Sequence, residues 1–499
     1  MTAESVVTGW NLLFGEAGDG AKMRRRDQSD SPPKSSPLRG KGLRRRLTRT
    51  FLAFVALASS AAALAEPPFA PAHPGDRIVY RGATVIDGTG GPVQPDMAVI
   101  TNGERIEEVV PAARLTPALI GSARIVDLRG RYLLPGLIDS HQHMATPPNR
   151  RRAEAWLRRD LYSGITATRI MADDLRSIAE LDRAARAGEI EGPDLFYAAI
   201  VAGPGFFSDP RTQAVSFGYQ SGEAPWAQAI DARTDIPLAI ARARGTGAAA
   251  LKIYADLPPE LVRSLAAEAH RQGLQVWTHF MVFPTTPADV LAANPDVVSH
   301  TCYGAYQAMA RRPASYRERF PVDASLFAQG DNAAMARLFR TMQERGILLD
   351  ATLRVYREGE RRATAARPAH CTLDLAARLT ALAHRAGVLI SAGTDGDTAA
   401  QAPYPALFEE MELLVGRAGF TPLDAIRAAT QIGAMSMNQG QNRGVIAVGH
   451  LADMVVLERD PVADIANMRS VLFTVKNGRR FDRADYRAIT LEEAGNDDD

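Results

Sequence analysis

The stretch "RYLLPGLIDSHQHM" (131–144) places two histidines, His141 and His143, at the end of an apolar segment. Such a segment predicts a buried strand, and on a strand residues i and i+2 point to the same side. The two imidazoles would then project together while Gln142 faces away, so the pair could bind one divalent metal ion. On its own, an H-x-H pair is more typical of ordinary polar residues in a loop. Ligands at other strand ends are needed to decide between these interpretations.

Four further polar residues lie in or at the end of other apolar segments: Lys252, His279, His300 and Asp395. In a parallel barrel all strands end on one face, so these side chains would converge on a single pocket although they are far apart in sequence. Each has an ordinary explanation by itself, as a core histidine, a solvent-reaching lysine or an aspartate in a turn. Together they indicate a metal site. The other histidines lie outside these strand ends and are interpreted as structural or surface residues: His73, His270, His370, His384 and His450.

Eight apolar segments are candidate strands of one barrel. They are "LLPGLIDSH" (133–141), "GITATRIM" (164–171), "DLFYAAIVAG" (194–203), "AAALKIYAD" (248–256), "LQVWTHF" (274–280), "DVVSHTCY" (296–303), "GILLDATL" (346–353) and "GVLISAGTD" (387–395). Helical segments lie between several of them, for example 259–273 and 373–387, and each of these two ends in glycine. Eight strands with helical crossovers predict an α/β fold, the (β/α)8 TIM barrel. A doubly wound open sheet is the alternative, but the sequence lacks a glycine-rich turn after the first strand.

Shorter alternating strands flank the barrel on both sides, before residue 135 and again at 444–460 and 471–481. We expect these to join in one small β-sandwich domain built from both ends of the mature chain. The predicted organisation is an N-terminal extension with a signal peptide, a first sandwich part, the barrel, a second sandwich part and an acidic tail. Their expected bounds are 1–65, 66–134, 135–437, 438–485 and 486–499.

The composition limits the partners that the protein could have. Its 58 Lys and Arg residues balance 57 Asp and Glu residues, for a net charge of +1 among 499 residues. Nothing in this balance calls for nucleic acid, so a small-molecule substrate is expected, and homo-oligomerisation is left open. The two cysteines, Cys302 and Cys371, could pair only once, and the sequence does not decide whether they do.

The N-terminal region has the order of a secretory signal. Basic residues precede the apolar run "FLAFVALASSAAALA" (51–65), which ends in small residues suited to cleavage before Glu66. The run is too short for a stable membrane span. We therefore expect a signal peptide at about 44–65 and an exported protein, periplasmic or secreted. An uncleaved membrane anchor is the alternative.

The set of strand-end residues resembles the amidohydrolase superfamily. The carrying motifs are "GLIDSHQH" (136–143), "LKIYAD" with Lys252, "VWTHF" with His279, "VVSHTCY" with His300 and "SAGTDGD" with Asp395. Two later segments are similar to the family's closing helix and the strand pair after it: "GFTPLDAIRAAT" (419–430) and "GVIAVGHLADMVVLERDP" (444–461). The resemblance covers roughly residues 76–481. It is closest to the branch of imidazolonepropionase-related enzymes and Xaa-Pro dipeptidases.

The resemblance implies two divalent metal ions, and we expect both to be Zn²⁺. His141, His143 and Asp395 would hold the first, His279 and His300 the second, and a carbamylated Lys252 would bridge them. Carbamylation by CO2 would turn a cationic amine, which cannot ligate, into an anionic carboxylate. A hydroxide bridging the metals would attack an amide, peptide or lactam carbonyl, or an ester, because metal coordination lowers the pKa of water. Asp395 would transfer the proton to the leaving amine.

Three further residues are candidates for binding the substrate. Tyr254 and Tyr303 lie close in sequence to Lys252 and His300, and simple packing is the alternative for both. Arg169, at the end of the second candidate strand, could bind a substrate carboxylate or could serve as an ion-pair partner.

Two alternative functions remain at this point. One is a mononuclear zinc aminohydrolase, that is, a deaminase, which would leave Lys252 unmodified. The other is a non-catalytic binding protein on the same scaffold, against which the complete set of expected ligands argues.

Overall fold

The structure, a computed structural model, describes residues 66–328 and 332–495. The predicted signal peptide and the last four residues of the acidic tail lie outside the described residues. Within the described ranges, no helix combines the length and the apolar character needed to cross a membrane.

The chain begins with strands of a small, largely antiparallel sheet. These are β1 (Arg77–Val85), β2 (Gln94–Asn102), β3 (Arg105–Pro111), β4 (Arg124–Asp127) and β5 (Tyr132–Pro135). β1 pairs antiparallel with β2, and it pairs parallel with β4 and β5. Only Gly136 separates β5 from the next strand, so the sheet leads directly into the barrel.

Eight parallel strands then form the barrel in sequence order. They are β6 (Leu137–Gln142), β7 (Ile165–Ile170), β8 (Asp194–Ala202), β11 (Ala250–Ile253), β12 (Gln275–His279), β13 (Val297–Ser299), β14 (Leu348–Asp350) and β15 (Ile390–Ser391), with a two-strand excursion after β8 formed by β9 (Glu223–Ala224) and β10 (Ala227–Ala229). The Ser140 N–H donates to the Ala392 carbonyl (2.9 Å), which brings the first strand against the end of the last.

The final strands return to the small sheet. β16 (Met454–Leu457) pairs antiparallel with β5, and β17 (Val471–Lys476) and β18 (Arg479–Asp482) extend the sheet outward from β16. The prediction of a (β/α)8 barrel with a small β-sandwich domain built from segments before and after the barrel is therefore confirmed.

Helices cover the barrel and close the chain. They are α1 (Pro117–Ile120), α2 (Arg150–Tyr162), α3 (Leu175–Arg186), α4 (Pro210–Ala214), α5 (Ile236–Arg244), α6 (Pro259–Arg271), α7 (Pro287–Ala292), α8 (Thr301–Ala305), α9 (Ala333–Arg345), α10 (Leu353–Arg362), α11 (Leu373–Arg385), α12 (Leu407–Ala418), α13 (Pro422–Ala428), α14 (Gln431–Ser436) and α15 (Leu491–Ala494). The two helices expected at 259–273 and 373–387 are present, as α6 and α11. A glycine with positive φ follows each of them, Gly273 and Gly387.

Several predicted strands are shorter than expected, and the one at 296–303 runs into a helix. The segment 296–303 was expected to be a strand throughout, but β13 ends at Ser299 and α8 begins at Thr301. His300 lies between them with φ 72°. The apolar pattern misled the prediction because the first turn of this helix is as buried as the strand before it.

A cluster of buried apolar residues fills the lower half of the barrel. Seven of the eight strands contribute one inward-facing residue each: Ile138, Ala167, Ala198, Ala250, Trp277, Val297 and Leu348. The large indole of Trp277 shares this layer with three alanines, so one bulky side chain is combined with small ones. The space above this layer is where the functional side chains lie.

A buried ion cluster joins the barrel to the small sheet. The Asp194 carboxylate on β8 lies 2.8 Å from Nζ of Lys476, 2.6 Å from Arg443 and 3.2 Å from Arg186. Burial alone would raise the pKa of Asp194, but the three cations lower it more, so the pKa lies below its usual value. This carboxylate is therefore charged and paired in the folded protein.

Candidate metal centre

The candidate site lies one layer above the apolar cluster, as the period of a strand requires. Two residues beyond the apolar layer, the same strands point polar side chains into the barrel. These are Ser140, Arg169, Lys252, His279, Ser299 and Asp350. All six are buried, so a layer of polar groups faces the carboxyl ends of the strands.

His141, His143 and Asp395 converge at the mouth of the barrel. Oδ1 of Asp395 lies 3.4 Å from Nε2 of His141 and 3.5 Å from Nε2 of His143. His300 is close on the other side, with Nδ1 3.8 Å from Oδ2 of Asp395. Potential ligand atoms of His141, His300 and Asp395 all lie within 4.8 Å of one another, which is the arrangement needed to hold a metal ion.

Neighbouring side chains fix the orientation of three of the imidazoles. Nδ1 of His141 lies 2.6 Å from Oδ2 of Asp350, and Nδ1 of His143 lies 3.0 Å from Oδ1 of Asp173. Nδ1 of His300 lies 2.9 Å from the Thr352 hydroxyl. Because each Nδ1 is engaged, Nε2 is the nitrogen left for a metal, and metal-binding histidines are typically supported in this way.

His279 presents the opposite nitrogen. Its Nδ1 is buried and has no hydrogen-bond partner among the described residues, which is costly unless another group binds it. The ring lies 4.9 Å from the His300 ring. Burial, followed by the charge of Lys252, lowers the pKa of His279 well below its usual value, so this imidazole is neutral and able to ligate a metal.

The surroundings shift the pKa values of the candidate ligands in different directions. Burial lowers the pKa of His300 to about 3. Burial also opposes the charged form of His143, but Asp173 and Asp395 raise the pKa of this histidine to about 9. Burial likewise opposes the charge of Asp395, yet the histidines hold its pKa well below the usual value. Metal binding at His143 would therefore release a proton.

Lys252 points into the centre of the barrel and is 1% exposed. Its Nζ donates to the Ser299 hydroxyl at 3.4 Å. Burial, and then the positive charge of Arg169, lower the pKa of Lys252 to about 7. Near neutral pH a large fraction of this amine is therefore uncharged, which is the form that can react with CO2.

Strained or tightly packed backbone holds the two ligands that follow the ends of β13 and β15. His300 and Asp395 both have positive φ, at 72° and 47°, a conformation that non-glycine residues adopt at a cost. The Asp395 N–H donates to the His141 carbonyl at 2.9 Å. A Cβ on Gly393 would lie 2.2 Å from Oδ1 of Asp350, so the chain needs glycine at this position.

The structure separates the two carboxylates of "GTDGD". Asp395 faces the histidines, whereas Oδ1 of Asp397 pairs with the Arg159 guanidinium at 2.6 Å. Asp397 belongs to a partly buried ion pair outside the histidine cluster.

Arg169 lies beneath the site rather than at its mouth. Its Nη2 pairs with Asp350 at 3.1 Å, and its Nε donates to the Ser140 carbonyl at 2.7 Å. The guanidinium stacks 4.7 Å from the Trp277 ring and is fully buried. This is the ion-pair arrangement that was the alternative for Arg169, and a role in binding a substrate carboxylate stays a prediction without a contact to support it.

The two predicted tyrosines line the side of the second histidine pair. The Tyr254 ring lies 4.0 Å from the His279 ring. The Tyr303 ring lies 5.3 Å from His279 and 5.4 Å from His300. Next to Tyr303, Cys302 forms a disulfide with Cys371, so the pairing that the sequence left open is present.

Sequence reasoning missed the residues that support the ligands: Asp173, Ser299, Asp350 and Thr352. Asp350 accepts from His141, Ser299 and Arg169 at 2.6–3.1 Å. A signal for it was present, because Asp350 is a polar residue within the candidate strand at 346–353, as Lys252 is within its own, and it ends β14 in the structure. Asp173 gave no such signal, since it lies three residues beyond β7.

Comparison with known proteins agrees with this geometry. The profile of the Amidohydrolase family matches residues 132–481. The ochratoxinase of Aspergillus niger is 36% identical over 101 residues, which cover 19% of this chain and 20% of that protein. An imidazolonepropionase of Pseudomonas putida is 40% identical over 68 residues, covering 14% of this chain and 16% of the enzyme. The matches thus span a fifth or less of these relatives.

Solved structures share the fold over nearly their full length. The A. niger ochratoxinase structure has a TM-score of 0.66 at 21% identity and covers 82% of this chain and 96% of its own. A Xaa-Pro dipeptidase structure has a TM-score of 0.64 at 20% identity and covers 81% of this chain and 100% of its own. The barrel, its strand-end histidines and the family match over most of the chain lead to one conclusion: this protein belongs to the amidohydrolase family.

Proposed function

We propose that this protein is a metal-dependent hydrolase that cleaves the C–N bond of a small amide, peptide or lactam with water. The observation that carries the proposal is the convergence of four histidines, three of them buried, with Asp395 and Lys252 at the carboxyl end of one barrel. Three of the histidines have their Nδ1 atoms engaged, and the fourth has a buried Nδ1 with no hydrogen-bond partner among the described residues. A donor set of imidazoles and carboxylate suits zinc.

Two divalent ions, proposed to be zinc, would fit this donor set. His141, His143 and Asp395 would hold one ion and His279 and His300 the other. Two dications need more negative charge than Asp395 alone supplies, and we propose that Lys252 provides it as a carbamate. Its lowered pKa, about 7, supports the reaction with CO2, because only the uncharged amine is nucleophilic. When bound, the metals would supply Lewis acidity and lower the pKa of water.

The side chains of the chain itself would orient the reactants and move the proton. Asp395 is in reach of both first-pair histidines and is held in place by its own N–H. It would accept the proton of the attacking water and pass it to the nitrogen of the leaving amine as the C–N bond breaks. The carboxylate product then keeps the oxygen of the water.

A mononuclear deaminase is the second candidate. An adenine deaminase of Rubrobacter xylanophilus is 38% identical over 68 residues, which cover 13% of this chain and 11% of that enzyme. In that case one ion would be bound, and Lys252 would stay an amine.

Purified protein should be tested for metal content and screened against paired libraries of dipeptides, N-acyl amino acids, lactams and aminopurines. Release of amine from amides by a preparation with two metals per chain supports the proposal. Ammonia release from aminopurines with one metal per chain supports the deaminase. A metal-free protein without either activity supports a non-catalytic binding protein.

We also propose that the protein is exported. The basic and apolar N-terminal segments support this, and a disulfide is typical of exported proteins. N-terminal sequencing of the mature protein should give Glu66 as the first residue. Retention of residues 51–65 in a membrane fraction would instead support the anchor.

A further inference from the structure

Three tyrosines, called here the tyrosine cluster, lie around the ring of His279. Tyr254 directly follows β11, Tyr303 lies in α8 and Tyr316 lies in the loop before α9, and their rings lie 4.0, 5.3 and 5.9 Å from the His279 ring. The Tyr254 hydroxyl donates to the Tyr316 hydroxyl at 3.1 Å. The cluster therefore forms a wall directly beside the second histidine pair.

One guanidinium, that of Arg319, is held against this wall. It donates to the Tyr303 hydroxyl, and its Nε donates to the Tyr316 carbonyl at 2.7 Å. Its Cζ lies 3.6 Å from the centre of the Tyr316 ring, a close cation–π contact. These three contacts fix the position of this half-buried side chain beside the tyrosine cluster.

Arg319 lacks the carboxylate partner that such a position usually has. Among the described residues no carboxylate forms an ion pair with it, whereas nearby Arg211 contacts Asp209 through two nitrogens, at 3.0 and 2.7 Å. The carboxylate of Asp256 is engaged elsewhere, since it accepts from the Tyr316 N–H at 2.9 Å. The positive charge of Arg319 contributes to the lowered pKa of His279. A positioned cation without an anion beside a metal ligand is suited to bind an anionic part of a ligand.

We propose that Arg319, oriented by Tyr303 and Tyr316, binds a carboxylate of the substrate, so that the amide cleaved at this site carries a free carboxylate. This inference rests on the proposed hydrolase function and names its substrate class. It moves the carboxylate-binding role from Arg169, whose guanidinium is buried and paired with Asp350, to an arginine in the wall of the site. The carboxylate can belong to the leaving amine, as in an N-acyl amino acid, or to the acyl part, as in the monoamide of a dicarboxylic acid.

The test compares substrates that differ only in this charge. Each N-acetyl amino acid of a panel is assayed beside its carboxamide, and each succinyl monoamide beside its methyl ester. In one of these two kinds of pair, wild-type protein should prefer the charged member by about 10- to 100-fold in kcat/KM. This is the range expected for a hydrogen-bonded charge. The pair that shows the preference identifies which part of the substrate carries the carboxylate.

Arg319→Met should abolish this preference by raising KM for the charged substrate, so that kcat/KM falls much more for the charged member of the pair than for the neutral member. Arg319→Lys should keep part of the preference. Arg312→Met is the matched control, because Arg312 ties the same loop to the Tyr306 and Gln307 carbonyls and does not contact the tyrosine cluster. It should leave the preference intact.

The outcomes separate the two proposals. If wild-type protein cleaves amides but shows no preference for charge, or if Arg319→Met lowers both members of a pair equally, the inference is wrong and the hydrolase function stands. If no amide is cleaved by metal-loaded wild-type protein, the proposed function itself fails, and the inference fails with it.

Discussion

Asp173 is a supporting residue whose replacement tests how the site holds its first metal. All four of its hydrogen bonds come from the segment that carries His143. Oδ1 accepts from His143 Nδ1 at 3.0 Å and from the Thr146 hydroxyl at 2.7 Å. Oδ2 accepts from the N–H groups of Met144 and Ala145 at 2.6 and 2.8 Å. Asp173 is 1% exposed, so no solvent replaces a bond that is lost.

Asp173→Asn keeps the shape but puts an NH2 group where one of the two oxygens accepts. On that side of the residue the new NH2 group faces hydrogen-bond donors and cannot accept from them. The imidazole of His143 also loses a charged partner. Loss of a hydrogen bond to a charged group costs about 1.5–3 kcal/mol. Loss of such supporting contacts typically weakens metal affinity by about 10- to 100-fold. We therefore expect the dissociation constant of the metal ion held by His141, His143 and Asp395 to rise by that factor.

The assay is a competition titration of metal-free protein with zinc and a chromophoric chelator, alongside thermal denaturation. Asp174→Asn is the matched control, since the neighbouring Asp174 is also buried but caps α3 through the Arg176 N–H at 3.0 Å. Asparagine caps helices about as well as aspartate, so this variant should bind zinc as wild type does. Unchanged affinity in Asp173→Asn, or an equal loss in both variants, would refute the supporting role.

Three further variants test other parts of the site and the fold. Lys252→Ala should lose most amidase activity and regain part of it with added short carboxylic acids, which can replace the missing bridge; full activity without them would end the carbamate proposal. Asp395→Asn should lower kcat by at least roughly 10²-fold with its metal content measured in parallel, while Asp397→Asn, whose carboxylate pairs with Arg159, should mainly lower stability; the reverse order would show that the proton-transfer assignment is wrong. Asp194→Asn should lower the free energy of unfolding by about 3–5 kcal/mol in urea titrations, because it leaves buried cations unpaired. Since the folded pKa of Asp194 lies below the unfolded value, its contribution is present above about pH 4 and lost as the pH falls, so the variant should show a smaller loss of stability in acid than wild type; parallel pH curves would contradict this.

The sequence predicted the barrel and the site where a local period controls the side chains. Lys252 and His279 follow from the alternation of strands whose ends share one face. The His141–His143 pair was placed in the site by its spacing, but regular alternation after the inward-facing Ser140 would turn His141 outward. The irregular pairing of β6 with β7 between Asp139 and Gln142 breaks that alternation. His300 was expected inside a strand but lies just beyond one, because burial continues unbroken from β13 into α8. Its inclusion in the site still followed, since one residue past a strand end remains at the barrel mouth.

The supporting and substrate-facing residues could not be read in the same way. Asp173 and Arg319 lie in loops, where no period relates a residue to its neighbours in space. Arg319 reaches the site because Tyr303 and Tyr316 hold it there. No sequence pattern predicts these contacts between separate segments. Arg169 shows the converse limit, since the strand period correctly placed it inside the barrel but could not show that Asp350 occupies its guanidinium.

The metal stoichiometry of active protein tests the central claim most directly. Mature protein, purified without chelators and active against a carboxylate-bearing amide, should be analysed by inductively coupled plasma mass spectrometry against a protein concentration from amino-acid analysis. The account predicts two divalent ions per chain, with zinc as the principal metal, and activity that is lost with a chelator and restored by the same metal. Fully active protein with one ion per chain, or with none, would contradict it.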